Sequence, residues 1–336
     1  TTYKDFWEYD PDGDTWTQKA DFGGAARAYA TGFSIGTKAY VGTGKDNATY
    51  YKDLWEFDPA TNTWTQKANL GGTSRWSAVG FSIDTKGYLC GGNDIGQPYK
   101  DFWEYNPANN TWTQKADFGG IARYSPVGFS IGNKGYVGTG YVFSTDTYQK
   151  DFWEYDPATN TWTQKADFGG IGRKLAVGLN IGSKGYVGTG YKSVYLKDFW
   201  EYDPDADTWT AKALFGGTAR IEATAFSVGN NGYVGTGGDF GASREDFWKY
   251  DPDANTWTEK AYFGGTGRYG AVGFNINGKG YMGTGHKEYP VDDYYRDFWQ
   301  YDPLIDAWTQ KADFGGTARQ NAVAFSIGNK GYIGTG

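Results

Sequence analysis

Cysteine, histidine and methionine each occur once in 336 residues. With Cys90 alone no intrachain disulfide can form, and cysteine usage leaves the redox compartment undecided. No apolar run approaches the ~18 to 20 residues that span a bilayer as a helix, so membrane insertion is not expected. Clusters of Lys and Arg are also missing. With 39 acidic against 32 basic residues the formal charge is −7, the wrong sign for a surface that meets a phosphate backbone, and nucleic acid is not an expected partner.

What is abundant is glycine and aromatics: 52 Gly, 15 Trp, 28 Tyr and 21 Phe. This composition suits many short strands joined by tight turns and packed by rings, and it argues against long helices. The acidic balance and the many Thr, Asn, Tyr and Gly residues lean toward an extracellular or cell-surface location. Thr1-Thr2-Tyr3-Lys4 is already close to a repeat motif, so an export signal would have been removed ahead of it. Sequons at Asn47 and Asn109 matter only in a glycosylating host.

The segment Asp5-Phe6-Trp7-Glu8-Tyr9-Asp10-Pro11 recurs, its Trp falling at Trp7, Trp55, Trp103, Trp153, Trp200, Trp248 and Trp299. The period is about 48 residues. Each unit predicts four short strands, in one case a over 77–83, b over 87–90, c over 102–105 and d over 111–115. A four-stranded antiparallel sheet with two apolar faces buries neither alone, so such units stack around an axis. The expected fold is therefore all-β, one domain over 1–336, a seven-bladed β-propeller of four-stranded antiparallel blades. The chain starts with strands c (6–9) and d (15–19) and ends with strands a and b (320–336), so the last blade is closed by strands from both termini, which removes an open edge. Trp55 with Phe57, and Trp153 with Tyr155, share one side of strand c and read as structural aromatic layers.

After strand c an aromatic is followed by six residues and then Trp, as in Phe57-Asp58-Pro59 to Trp64 and Tyr155-Asp156-Pro157 to Trp162. One Arg precedes each strand a (Arg27, Arg75, Arg123, Arg173, Arg220, Arg268, Arg319), and strand b ends in Gly-Thr-Gly or in Gly91-Gly92. Over essentially the whole chain this resembles the kelch repeat. The resemblance implies the propeller, not an activity. The usual family pattern is Gly-Gly, and Gly42-Thr43-Gly44 and its counterparts depart from it, which puts the local turn geometry in question. Copper oxidases with this repeat need paired His ligands and a Tyr joined to Cys; with only His286 and Cys90 such a site is excluded. His286, beside Lys287 and Glu288, reads as a solvated loop residue. Asp10-Pro11-Asp12-Gly13-Asp14 reads as a hairpin turn and not a calcium loop, because its counterparts keep its length without its carboxylates. Phe22-Gly23-Gly24 recurs as a structural turn would.

Variation is confined to one face. The a–b and c–d turns are nearly constant, whereas the b–c loops differ in length and carry Tyr50, Tyr51, Tyr99, Tyr148, Tyr195, Tyr289, Tyr294 and Tyr295. The pair after each Arg also differs from blade to blade and is expected at the central mouth. From it come the candidate ligand-binding residues Tyr29, Trp76, Tyr124, Lys174, Glu222, Tyr269, Gln320 and Asn321. The expected function is a non-catalytic, monomeric binding scaffold for a glycan or a peptide, with no metal, no cofactor and no catalytic residues. Two other readings stay open. One is a carbohydrate-active enzyme such as a kelch-like epimerase, with Glu222 as acid/base and Lys174 or an Arg steadying an anion. The other is a purely structural repeat, amplified or engineered, whose loops have drifted. The seven Arg residues either ring the mouth for an anion or, as is expected, pair with the Asp opening strand c (Asp5, Asp53, Asp101, Asp151, Asp198, Asp246, Asp297).

Overall fold

Alternation along strand c sets the architecture. In Leu54–Asp58, Leu54 and Glu56 face one side of the sheet and Trp55 and Phe57 the other, so both faces must be covered. The computed structural model describes residues 1–239, 241–287 and 292–336, and there every repeat is a four-stranded antiparallel sheet. The fold is the seven-bladed β-propeller expected above. Contacts divide the chain into two compact units, Thr1–Phe6 with Lys19–Lys174 and Gly334–Gly336, and Trp7–Gln18 with Leu175–Ile333.

The first unit holds three blades. Their strands a to d are Thr31–Ile35, Lys38–Gly42, Leu54–Asp58 and Thr63–Lys67 in blade 1; Val79–Ile83, Lys86–Cys90, Phe102–Asn106 and Thr111–Gln114 in blade 2; and Val127–Ile131, Lys134–Gly138, Phe152–Asp156 and Thr161–Lys165 in blade 3. Phe33, Tyr40 and Leu54 of blade 1 bury themselves against Tyr105 and Trp112 of blade 2. Phe81, Tyr88, Cys90 and Phe102 of blade 2 do the same against Val137, Tyr155 and Trp162 of blade 3. Burial pushes the Cys90 thiol up to about 12, which makes it a packing residue rather than a nucleophile.

The second unit holds blade 4 (Val177–Ile181, Lys184–Gly188, Phe199–Asp203, Thr208–Ala211), blade 5 (Thr224–Val228, Asn231–Gly235, Phe247–Asp251, Thr256–Lys260), blade 6 (Val272–Ile276, Lys279–Gly283, Phe298–Asp302, Ala307–Lys311) and nearly all of blade 7. Blade 7 is built from both ends of the chain: Val323–Ile327 and Lys330–Gly334 supply a and b, Phe6–Asp10 and Thr15–Gln18 supply c and d. Tyr9 and Trp16 pack on Phe298 at ring distances of 4.8 and 4.9 Å, joining blade 7 to blade 6.

Neighbouring blades are also latched by polar bonds. The indole of Trp112 donates to the carbonyl of Ala68 at 2.9 Å, and the amide of Ala68 donates to Asn110 Oδ1 at 2.8 Å. The same pair recurs with Trp64 and Asn62 on Ala20, Trp257 and Asn255 on Ala213, and Trp308 and Asp306 on Ala261.

Three turn features follow from local chemistry. The Asp10 to Asp14 segment is the expected hairpin turn: Asp10 Oδ1 accepts the Asp12 amide, and Asp14 takes a left-handed φ of 50°. A Cβ at Gly23 would collide with the Trp55 ring, which explains the recurring Phe-Gly-Gly. The Gly-Thr-Gly question is also resolved. Thr43, Thr139, Thr189, Thr236, Thr284 and Thr335 adopt left-handed φ values of 55 to 59°, where blade 2 uses Gly91 at 69°. The turn is that of a Gly-Gly pair, entered by a β-branched residue at the cost of local strain. Strand a begins at Val79, not at 77, because Ser77 is itself left-handed with φ of 51°.

Candidate functional site

The repeated Arg is interior. Arg27 donates from Nε to the Ala25 carbonyl at 3.0 Å, from one terminal nitrogen to the Thr43 carbonyl at 2.8 Å and Asp53 at 2.5 Å, and from the other to Asp53 at 2.8 Å. Its guanidinium lies between the rings of Phe22, 4.9 Å away, and Tyr51, 4.0 Å away. Arg75, Arg123, Arg220 and Arg268 make the same bidentate pair with Asp101, Asp151, Asp246 and Asp297. Arg173 and Arg319 are as fully buried, over Phe168 and Phe314. All seven side chains are at most 1% exposed, so the anion-attracting ring is overturned in favour of the ion pairs. Burial works against the charged form of Asp101, but the Arg75 guanidinium and the Trp103 indole hold its carboxyl below the usual range. Tyr51, Tyr99 and Tyr295 of the b–c loops stack on Arg27, Arg75 and Arg268, so these three aromatics serve the scaffold.

The b–c loops are not irregular. In blades 3 to 6 each forms a small two-stranded hairpin, such as Tyr141–Val142 with Thr147–Tyr148. The first residue after the repeated Arg bridges to the start of this arm: Ala28 to Lys45, Trp76 to Asn93, Tyr124 to Tyr141, Ile221 to Gly238 and Tyr269 to His286. In these five blades the two variable zones are thus one surface. The second residue after the Arg is left-handed in every blade: Tyr29, Ser77, Ser125, Leu175, Glu222, Gly270 and Asn321, with φ of 50 to 57°.

In the first unit four of the eight candidate residues meet in two corners. Tyr29, 37% exposed, sets its ring edge-on to Trp76 at 5.1 Å, and the Lys45 amine lies 4.1 Å from the Trp76 ring centre. Trp76 Nε1 and Asn93 Oδ1 are buried there without a hydrogen-bond partner among the described residues. In the second corner the Lys174 amine sits 4.6 Å over Tyr141 and 6.0 Å from Tyr124 and Tyr148. Burial lowers the Lys174 pKa, partly opposed by the charge of Asp146.

In the second unit Gly270, Gln320 and Asn321 come together: a Cβ on Gly270 would lie 3.3 Å from Asn321 Oδ1 and 3.4 Å from Gln320. Tyr269 is buried, donates its hydroxyl to the Asp239 carbonyl at 2.9 Å and packs 5.8 Å from His286. It is a support rather than an exposed platform. His286 is only 7% exposed and stacks on Tyr294 at 5.5 Å, which corrects its reading as a solvated residue: the hairpin arm folds its ring inward. Glu222 is half-buried. Tyr289 and Glu288 lie outside the described residues.

Sequence reasoning missed Lys45 and Asn93. The available signal was their place directly after the strand b turn, where cross-strand pairing brings them to the residue that follows the Arg. Two cavities in the second unit are lined by none of the eight candidates. One, of about 640 Å³, lies between blades 4 and 5, and the other, of about 440 Å³, is lined by Leu179, Ala225, Phe226, Ser227, Asn275 and neighbours on the innermost strands. Among the described residues no group of three or more His, Cys, Asp and Glu is placed to hold a metal, and no helix is long and apolar enough to cross a membrane.

This geometry defines a β-propeller that carries its sequence variation on one face. No family model and no curated protein matches the chain. Among solved structures, that of YjhT is similar in fold, with a TM-score of 0.68 and 18% identity over 85% of this chain and 97% of YjhT.

Proposed function

We propose that the chain is a non-catalytic binding scaffold, formed of kelch-type repeats, whose glycan or peptide ligand lies across the b–c arms and the strand a tips. The supporting observation is the Tyr29, Trp76 and Lys45 corner. There a half-buried indole, an exposed phenol and an amine share one edge, beside a buried donor (Trp76 Nε1) and acceptor (Asn93 Oδ1) without a partner among the described residues. A sugar ring or an apolar side chain stacks on the aromatics, with the Lys45 amine beside them to donate to a ligand oxygen. An extracellular or cell-surface setting and a monomeric state fit the acidic composition. The strain at Glu222 does not single it out as a catalytic acid, because the same left-handed backbone recurs at its counterparts in every blade.

Glycan and peptide arrays probed with the native protein and with a Trp76→Ala, Tyr124→Ala double variant test this reading. Native binding that the variant loses supports it. Equal binding by both proteins moves the ligand elsewhere.

A further inference from the structure

The groove of about 640 Å³ between blades 4 and 5 is lined by Lys197, Arg244, Glu245, Glu259 and Tyr262 among others. It is where one blade departs from its sisters. The residue before the Asp of strand c is Lys or Arg in six repeats (Lys4, Lys52, Lys100, Lys150, Lys197, Arg296) and Glu245 in blade 5. Seventeen residues on, five repeats carry Asp or Asn, and Lys150 with Asp167 and Lys4 with Asp21 close ion pairs at 3.3 and 3.8 Å. Blade 5 has Tyr262 there, and Glu259 where five repeats have Gln. Lys, Asp and Gln together carry no net charge, whereas Glu, Tyr and Glu carry −2.

Packing does not demand these changes, since the sister blades build the same strands without them. Glu245 accepts the Gly267 amide at 3.1 Å, and Tyr262, 59% exposed, donates its hydroxyl to Glu259. Arg244 pairs with Asp239 at 2.6 Å, while its Nε–H is buried with no acceptor among the described residues. Asp246 is neutralised by Arg220 and Arg244 by Asp239, which leaves Glu245 and Glu259 against Lys197 beside an exposed phenol ring, a groove of net negative charge that complements a peptide with a cationic side chain. We propose that it docks an extended peptide segment bearing Lys or Arg. The cation meets Glu245 and Glu259, and its aliphatic stem lies on the Tyr262 ring. This site is separate from the mouth and does not rest on the reading of it.

The test is a calorimetric titration of the full chain with acetyl-Gly-Arg-Gly-amide and with the same peptide carrying uncharged citrulline, at low and high salt. Binding of the arginine peptide is expected, about tenfold or more above the citrulline peptide, and weakened by salt. Glu245→Lys, Glu259→Gln, Tyr262→Asp, which restores the sister pattern, should abolish it, and Glu259→Gln alone should weaken it without a change in unfolding midpoint. The Trp76→Ala, Tyr124→Ala variant should bind the peptide normally. No saturable binding, equal binding of the citrulline peptide, or binding undiminished in Glu259→Gln overturns the proposal.

Discussion

The ionic unit that recurs at Arg27, Arg75, Arg123, Arg220 and Arg268 is stabilising only as a whole. Arg75 satisfies its donors on the Thr73 and Gly91 carbonyls and on Asp101, at 2.6 to 3.0 Å. Asp101, whose side chain is 20% exposed, also accepts the Trp103 indole. Arg75→Met keeps the volume but leaves Asp101 charged without its cation, and should cost about 3 to 5 kcal/mol. Urea unfolding measures this, and a loss below ~1 kcal/mol would mean that water solvates Asp101 in the variant. The left-handed threonines make the opposite prediction. Thr284, with φ of 56°, is β-branched where its blade 2 counterpart is Gly91, and its hydroxyl is buried without a partner among the described residues. Relief of about 1 to 2 kcal/mol of strain exceeds the roughly 0.5 to 1 kcal/mol of added chain entropy in Thr284→Gly. That variant should therefore unfold at equal or higher urea. A lower midpoint would mean that the threonine methyl packs better than its backbone is strained.

Between elements, the latch at Ala68 joins blade 1 to blade 2. Asn110 Oδ1 accepts from the Ala68 amide at 2.8 Å and from the Tyr105 hydroxyl at 3.1 Å, and its backbone is left-handed. Asn110→Ala removes both bonds and strains the turn, with an expected loss of about 2 to 3 kcal/mol. Asn110→Asp should be nearly neutral at pH 7, because Asp14 and Asp306 do the same work on Ala312 and Ala261. Equal losses in both variants would show that the turn, not the latch, governs stability. At this scale the strands were legible within about two residues, since ring and polar positions alternate with period 2. Less legible were features without a period: the hairpin arms, with strands of two residues, and the left-handed residue that delays strand a. For the same reason Lys45 went unread while Trp76 was found. Tyr51, Tyr99 and Tyr295 were visible as loop aromatics, but nothing linear in the chain ties them to an Arg in a strand a connection. Only the folded pairing of Arg, Asp and Tyr distinguishes a scaffold ring from a ligand platform.

For the molecule as a whole, the blade count was legible because seven tryptophans recur in register, but the net charge of −7 conceals how the charges are paired. Many carboxylates are interior. Asp101, Asp151 and Asp246 are desolvated yet held below the usual carboxylate range by their arginines. Glu56 and Glu104 are likewise held down, against the effect of burial, by lysines and a tyrosine hydroxyl. Depressed values in the folded state give stability that is fully present above the unfolded value, near pH ~4, and lost as pH falls through the folded values. Buried tyrosines act at the other end. Burial, reinforced by bonds to carboxylates, raises the pKa of Tyr40, Tyr88, Tyr186 and Tyr332. The unfolded chain therefore loses these protons first, and stability declines above about pH 10. Thermal midpoints should form a plateau between about pH 5 and 9 with a fall on each side, the acid limb steepened because equivalent pairs recur around the repeat. Arg75→Met should flatten the acid limb, since Asp101 then has no cation to depress its pKa and protonation relieves a buried charge. A midpoint independent of pH from 7 to about 3, or an acid limb unchanged in that variant, would show that the ionic units do not control acid stability.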